Sequence, residues 1–396
     1  MRIVLFCHSL LSDWNHGNAH FLRGVVSELA ERGHRVSVLE PTSAWSVQNL
    51  VHDHGEAALD LARDHYPSVQ PRRYDFRNLD LDEVLDGADL VLVHEWNSPD
   101  LVRRIGNHRK RSRARYTLLF HDTHHRSVTA PEEMAAYDLS GYDGVLAFGA
   151  AVKDVHERMG WGRRAWVWHE AADARVFKPS PLAIARVIPR PDDADVADVP
   201  ARGDVVWIGN WGDDERTAEL RELFLDPVQD LRLVAKVFGV RYPHAALEEL
   251  RARDIAYGGW LPNFHVPRAF SAYKMTVHVP RSPYVRALPG VPTIRVFEAL
   301  ACGIPLVSGP WLDTEGLFRT GTDYFVANDG HEMRMHMRTL LADPEARREL
   351  AMRGRESILG RHTCAHRVDE LFTIFDAISG ERSPGSRPNV SLGVFL

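Results

Sequence analysis

The chain has 396 residues, 44% of them hydrophobic and 26% charged, the make-up of a globular protein of two or three domains rather than of a disordered, fibrous or disulfide-held chain. Its 48 Lys and Arg against 54 Asp and Glu leave a net charge of −6, which argues against a general nucleic-acid binder held by phosphate contacts. Cys7, Cys302 and Cys364 form no CxxC pair and leave one thiol over in any pairing, so a reducing cytoplasm is the expected compartment.

In chain order, Ile3-Val4-Leu5-Phe6 reads as a first strand. Cys7, His8, Ser9 and Asp13 stop the apolar run too early for a signal peptide, and nowhere do about 18 uncharged apolar residues follow one another to span a membrane. After a turn-rich segment, Phe21, Leu22, Val25, Val26 and Leu29 recur at helical spacing as far as Gly33, a natural C-terminal stop. Residues 36–39 give a second strand, and short apolar runs at 90–93, 117–120, 145–148 and 166–168 continue a parallel α/β domain. Prolines and charges between Phe177 and Asp204 mark a linker. A strand at 205–208, a helix from about Asp213, and runs at 231–234 and 275–277 then repeat the plan. The expected division is a first domain over 1–178, a linker over 179–203, a second domain over 204–361, a final helix from His362 to about 380 crossing back onto the first domain, and a disordered tail over 381–396. Two such domains set the C-terminal ends of their strands across a cleft, where ligands of these sheets bind.

The most informative stretch is Leu288-Pro289-Gly290-Val291-Pro292-Thr293-Ile294-Arg295-Val296-Phe297-Glu298-Ala299-Leu300-Ala301-Cys302-Gly303-Ile304-Pro305, which reads as loop, helix, cap and strand. Pro292 suits a first helical turn and Gly303 the helix exit. Free backbone N–H groups near Thr293 and Ile294 then point into the cleft as a site for a diphosphate. Glu298 falls on or beside the apolar face, where a carboxylate needs donors. Ribose hydroxyls one helical turn from the phosphates would supply them, with Arg295 adding positive charge.

This segment resembles the Glu-Ala-x-Ala-x-Gly-x-Pro signature of GT-B fold, nucleotide-sugar-dependent glycosyltransferases, and its Arg295-x-Phe297-Glu298-Ala299 variant resembles the CgeB-like, group 1 (family 4-like) glycosyltransferases. Gly33-His34-Arg35-Val36, the boundary run from His169 to Pro179, and Gly258-Gly259-Trp260-Leu261-Pro262 are similar to further family motifs in the same order along the chain. The resemblance implies Trp260 and Leu261 at the nucleotide base. It also implies Trp14, Asn15, His16 and Gly17 in a loop meeting the acceptor and the donor diphosphate, against the alternative of an ordinary turn. Two departures stand out. The Glu that many retaining members carry eight positions before the signature Glu is Gly290 here, and the usual basic pair after the second domain's first strand is missing. Asn210 and Arg216 are the nearest substitutes for that pair, and Arg281 or Arg286 in the 280–292 loop for the sugar or phosphate contacts.

In the first domain, Phe120-His121-Asp122-Thr123-His124-His125-Arg126 follows a strand. His121 and Asp122 are the leading candidates for a general base on an acceptor hydroxyl or for stabilising the leaving group; His125 and Arg126 read equally as the solvated start of a loop. The order of these residues does not match a metal-ligand run, so no metal is expected. His94 and Trp96 follow another strand and are candidates for an acceptor pocket, Trp96 by stacking on a sugar ring, with a core tryptophan the competing reading.

The expectation is therefore a cytoplasmic α/β GT-B glycosyltransferase. It would move a sugar from a nucleoside diphosphate sugar, a UDP-sugar favoured, to a small-molecule or glycan acceptor hydroxyl, without a cofactor, a metal or nucleic acid. Its resemblance to retaining families favours retention, while Gly290 and the His121–Asp122 pair leave inversion open. The alternatives are a nucleotide-sugar epimerase or hydrolase on the same fold and a non-catalytic sugar-nucleotide or glycan binder. Peripheral membrane contact and oligomeric state stay open.

Overall fold

The structure, a computed structural model, describes residues 1–112, 116–180, 202–212 and 215–382. It contains two all-parallel sheets. The first runs β3-β2-β1-β4-β5-β6-β7, with β1 Arg2–Phe6, β2 Arg35–Pro41, β3 Arg72–Tyr74, β4 Leu90–His94, β5 Thr117–Asp122, β6 Gly144–Ala147 and β7 Ala165–Val167. The second runs β10-β9-β8-β11-β12-β13, with β8 Gly203–Ile208, β9 Ala235–Phe238, β10 Ala256–Tyr257, β11 Tyr273–His278, β12 Leu306–Ser308 and β13 Phe325–Val326. These are the two doubly wound halves of a GT-B architecture.

Strand periodicity explains how each sheet is covered on both faces. In β1, Ile3 and Leu5 point to one side and pack with Phe21, Val25 and Leu29 of the helix Asn18–Glu31. Val4 and Phe6 point to the other and join Leu101, Val102 and Ile105 of the helix Pro99–Arg111. Register is fixed along the strand, Leu5 lying between Val38 of β2 and Leu92 of β4.

The final helix, Cys364–Arg382, crosses back onto the first domain and packs on the helix Asn18–Glu31. The approach is close because residue 24 is glycine: a Cβ there would stand 2.5 Å from Cys364 Sγ and 2.8 Å from Asp173 Cβ. Val368 and Leu371 thereby join the same buried cluster as Phe21 and Leu22. This helix begins two residues after the expected His362 and continues through Glu381, which pairs with Arg164 at 2.6 Å, so the expected tail loses its first two residues to the helix. The rest of that tail, 383–396, and most of the expected linker, 181–201, lie outside the described residues.

Some local expectations shift. The second sheet's second strand is Ala235–Phe238 rather than 231–234, because the chain turns at Leu231 and Arg232 before entering the sheet. The helix placed from Asp213 starts at Thr217, and Asp213 and Asp214 are outside the described residues. Among the described residues no helix is long and apolar enough to cross a membrane, and all three cysteines are free and buried.

Candidate functional site

The loops leaving the C-terminal ends of both sheets enclose a cavity of about 820 Å³, lined from the first domain by the 13–18 loop, Trp45, Asn49, Trp96, 123–125, Phe148 and Glu170, and from the second by 207–210, Glu215, Arg216, 239–241, Trp260, Leu261, Asn263, His278, Arg281, Tyr284 and 293–295. That size and its mixed aromatic and polar lining suit a small organic ligand.

The two halves meet through side chains that flank this cavity. Buried Asp13 accepts hydrogen bonds from Arg23 Nη1 (2.9 Å), Trp260 Nε1 (2.9 Å) and the Asn263 N–H (3.0 Å), tying the loop after β1 to the loop after β10. Asn210 Nδ2 donates to Asn15 Oδ1 while its own Oδ1 accepts from the Val240 N–H at 3.0 Å. On the far side, Glu315 accepts from the Ala150 N–H (2.9 Å) and from His169 Nε2 (3.0 Å). Residues expected to act from opposite domains, Asn15 and Asn210, therefore come together directly.

The donor-side helix runs Ile294–Cys302, capped by left-handed Gly303. Thr293 is the extended N-cap residue, but its hydroxyl bonds His278 Nε2 at 3.0 Å instead of closing the helix. The first N–H groups therefore stay available toward the cavity, and Thr293, Ile294 and Arg295 line it as expected. Pro292 does not. It lies one residue before the cap, buried outside the cavity lining, because Thr293 takes the extended turn into the helix.

Glu298 also departs from expectation. It is fully buried and faces the first domain, where His20 Nδ1 donates to Oε1 at 2.7 Å and Arg295 Nη1 pairs with Oε2. The Asp173 N–H donates to His20 Nε2 at 3.2 Å, so the ring's hydrogen sits on Nδ1, toward Glu298. The donors expected from ribose hydroxyls are supplied by the protein, since the helix Asn18–Glu31 packs against this face.

Three guanidinium groups surround the helix start. Arg281 is paired with Glu215 (2.9 Å) and Arg295 with Glu298. Arg216 is different: it donates to the backbone carbonyls of Val279 (2.9 Å) and Asn210, its Nε is shut off from solvent with no partner, and no carboxylate among the described residues pairs with it. Burial, then the neighbouring Arg281, lowers its pKa to about 9. A desolvated cation without a counter-ion is a poor structural element and a good anion site. Arg286 is exposed and outside the cavity.

The leading catalytic pair is not in the cavity lining. His121 is 1% exposed and packed against Trp168, His94 and Phe21, with burial lowering its pKa to about 3. Asp122 is fully buried and accepts from His156 Nε2 at 2.7 Å and from the His124 N–H at 3.2 Å. Both belong to β5 itself, one step short of the loop. The next residues, Thr123, His124 and His125, do line the cavity. Burial is the main cause that lowers the pKa of His124 to about 2 and lowers that of His125. No group of three or more His, Cys, Asp or Glu among the described residues is placed to hold a metal ion.

On the first-domain wall, Trp14, Asn15, His16, Gly17 and Trp96 line the cavity, joined by Trp45, which the sequence reading did not single out. Trp45 stands 6.3 Å from both Trp14 and Trp96, and Arg126 lies over Trp96 at 4.3 Å while pairing with buried Glu95 at 2.8 Å. His94 sits behind this wall, bonded to Thr123 Oγ1 at 3.1 Å. Trp260 and Leu261 line the opposite end, Trp260 against His54.

The sequence reading also missed Glu170, 3% exposed at the cavity wall. In sequence it falls within the boundary run from His169 to Pro179, while its position just past β7 is where cavity side chains arise.

Residues 216–373 match the sequence model of a family described as glycosyl transferase-like. No curated protein matches the chain in sequence. Similar solved structures cover nearly the whole chain. HepE of Anabaena, solved with UDP and glucose, has a TM-score of 0.64 at 13% identity over 95% of this chain and 100% of that one. Sucrose-phosphate synthase from Thermosynechococcus elongatus has 0.64 at 14% over 96% and 100%. An alpha-glucosyltransferase solved with UDP and a 13-mer DNA has 0.65 at 12% over 95% and 99%. At such identities these likenesses establish a shared fold, and the family match adds a glycosyl transferase-like second domain.

Proposed function

We propose that this GT-B glycosyltransferase moves a sugar from a nucleoside diphosphate sugar, favouring UDP, to an acceptor hydroxyl, with retention and without a metal. The observation that carries this reading is the desolvated Arg216, with no carboxylate ion-pair partner among the described residues, beside the open N-terminus of Ile294–Cys302, a built site for a diphosphate. UDP in the HepE and alpha-glucosyltransferase structures supports the choice of base.

The leaving diphosphate develops charge as the glycosidic bond breaks, and Arg216, Arg281 and Arg295 with the helix terminus supply fixed positive charge there, which supports metal independence. The aromatic wall of Trp14, Trp45 and Trp96 is suited to the apolar face of an acceptor sugar. Retention is supported by the position of His121 and Asp122 behind the cavity wall and by the burial that lowers the pKa of His124 and His125 in the cavity lining.

The test is product analysis with UDP-glucose in the presence and absence of a panel of sugar and aryl-alcohol acceptors. Transfer predicts UDP release that depends on acceptor, with a new glycoside in equal amount. Equal donor consumption without acceptor would instead identify a hydrolase or epimerase, and no consumption with tight binding a non-catalytic binder.

A further inference from the structure

Glu170 has no role so far, yet it lines the cavity beside the start of the donor helix. It lies at the C-terminal end of the first sheet, with its carboxyl group beside the Ile294 N–H at the start of the helix. Its Oε1 is buried and has no partner. A buried carboxylate oxygen facing a cavity calls for a donor from whatever fills that cavity.

A diphosphate is not that donor, because its oxygens only accept. The hydroxyl groups of a sugar are. Position separates the two sugars of the donor. The base end of the cavity is the Trp260, Leu261 and Asn263 side, held by Asp13. Glu170 lies on the other flank of the helix terminus, with Phe148, Tyr284 and His125, the Tyr284 ring lying against each of the other two. A diphosphate centred on the helix terminus and Arg216 thus has its nucleoside toward Trp260 and its glycosyl group toward Glu170.

The neighbouring Gly290 cannot provide such a contact. Its φ of 86° favours glycine, and a Cβ there would collide with the Thr314 hydroxyl.

We propose that Glu170 is a donor-sugar residue, its free Oε1 holding a hydroxyl of the glycosyl group that is transferred. The inference rests on the nucleotide-sugar reading above and names the residue that distinguishes the sugar from the nucleotide. Calorimetric titration of the wild type, Glu170→Gln and Glu170→Asp with UDP and with UDP-glucose, paired with transfer kinetics, tests it.

The expected result is UDP affinity within about twofold of wild type in both variants, which also reports that they are folded. UDP-glucose affinity should fall about tenfold and transfer kcat/KM about a hundredfold in Glu170→Gln, with Glu170→Asp intermediate. Wild-type handling of UDP-glucose by Glu170→Gln overturns the inference, as does an equal loss for UDP and UDP-glucose. Failure of the wild type to bind UDP overturns the nucleotide-sugar reading and this inference with it.

Discussion

Replacing Arg216 by methionine separates binding from stability. The guanidinium donates to the Val279 and Asn210 carbonyls and has no paired carboxylate among the described residues. In the free protein its removal gives up two hydrogen bonds, about 1 kcal/mol each, and recovers the desolvation of an unpaired charge of similar size. Free-protein stability should therefore change by no more than about 1 kcal/mol, or about 3 °C in Tm for domains of this size. With a diphosphate bound, the same guanidinium makes charge-assisted hydrogen bonds worth about 1.5–3 kcal/mol, so UDP affinity should fall by roughly 10- to 150-fold. Arg216→Lys, which keeps the charge and loses the planar fork, should lie between. Calorimetry with UDP and a thermal melt of the free protein read both quantities. Unchanged UDP affinity would place the diphosphate away from Arg216, and an affinity loss matched by collapse of the free protein's melt would make Arg216 structural.

Glu298→Ala leaves buried His20 and part-buried Arg295 without their carboxylate and should cost about 3–5 kcal/mol in urea unfolding; a loss below about 1 kcal/mol would show that the triad does not hold the domains. Gly24→Ala should destabilise by about 1–2 kcal/mol, since overpacking against Cys364 and Asp173 outweighs the gain in helix propensity. Cys364→Ala should restore part of that loss, and strict additivity of the two changes would contradict the contact. Glu40 is buried beneath the loop after β1, accepting from the Leu10 and Leu11 N–H groups and from Ser9, and burial raises its pKa to about 7. A carboxyl raised in the folded state favours folding least when ionised, so stability should drop as pH rises from about 4.5 through 7, by up to about 3 kcal/mol. In Glu40→Gln that part of the pH dependence should vanish, and an unchanged profile between pH 5 and 8 would assign it elsewhere.

The fold was legible because its signals are repetitive. Runs such as Ile3 to Phe6 and Val205 to Ile208 are apolar on both faces, as only buried parallel strands are, and Gly33 and Gly303 end helices where a left-handed residue is needed. Strands β3, β10 and β13 went unseen because they are two or three residues long at or near the sheet edges, and Arg72 and Arg73 give β3 no apolar pattern.

The site was legible to within a few residues where it depends on strand ends. The strand runs through Asp122, which turns the expected His121 into the core against Trp168 and leaves Thr123, His124 and His125 to line the cavity. Glu298 was assigned to a ribose because a sequence shows only that a buried carboxylate needs donors. That His20, 278 positions away, is one of them is a fact of domain packing. Asp13, Trp45 and Glu170 were missed for the same reason: each acquires its role from a residue on a distant element.

The proposed nucleoside diphosphate site between the two sheets is anchored by Arg216 and the start of the helix Ile294–Cys302. A thermal melt of the wild type and of Arg216→Met with UDP, GDP, ADP and TDP tests it most directly, since a ligand present at about 100 times its Kd stabilises by about 2.7 kcal/mol. A rise of several degrees is expected with at least one of the four, UDP foremost, and is lost in Arg216→Met. No stabilisation of the wild type by any of them, or the same stabilisation in the variant, would contradict it.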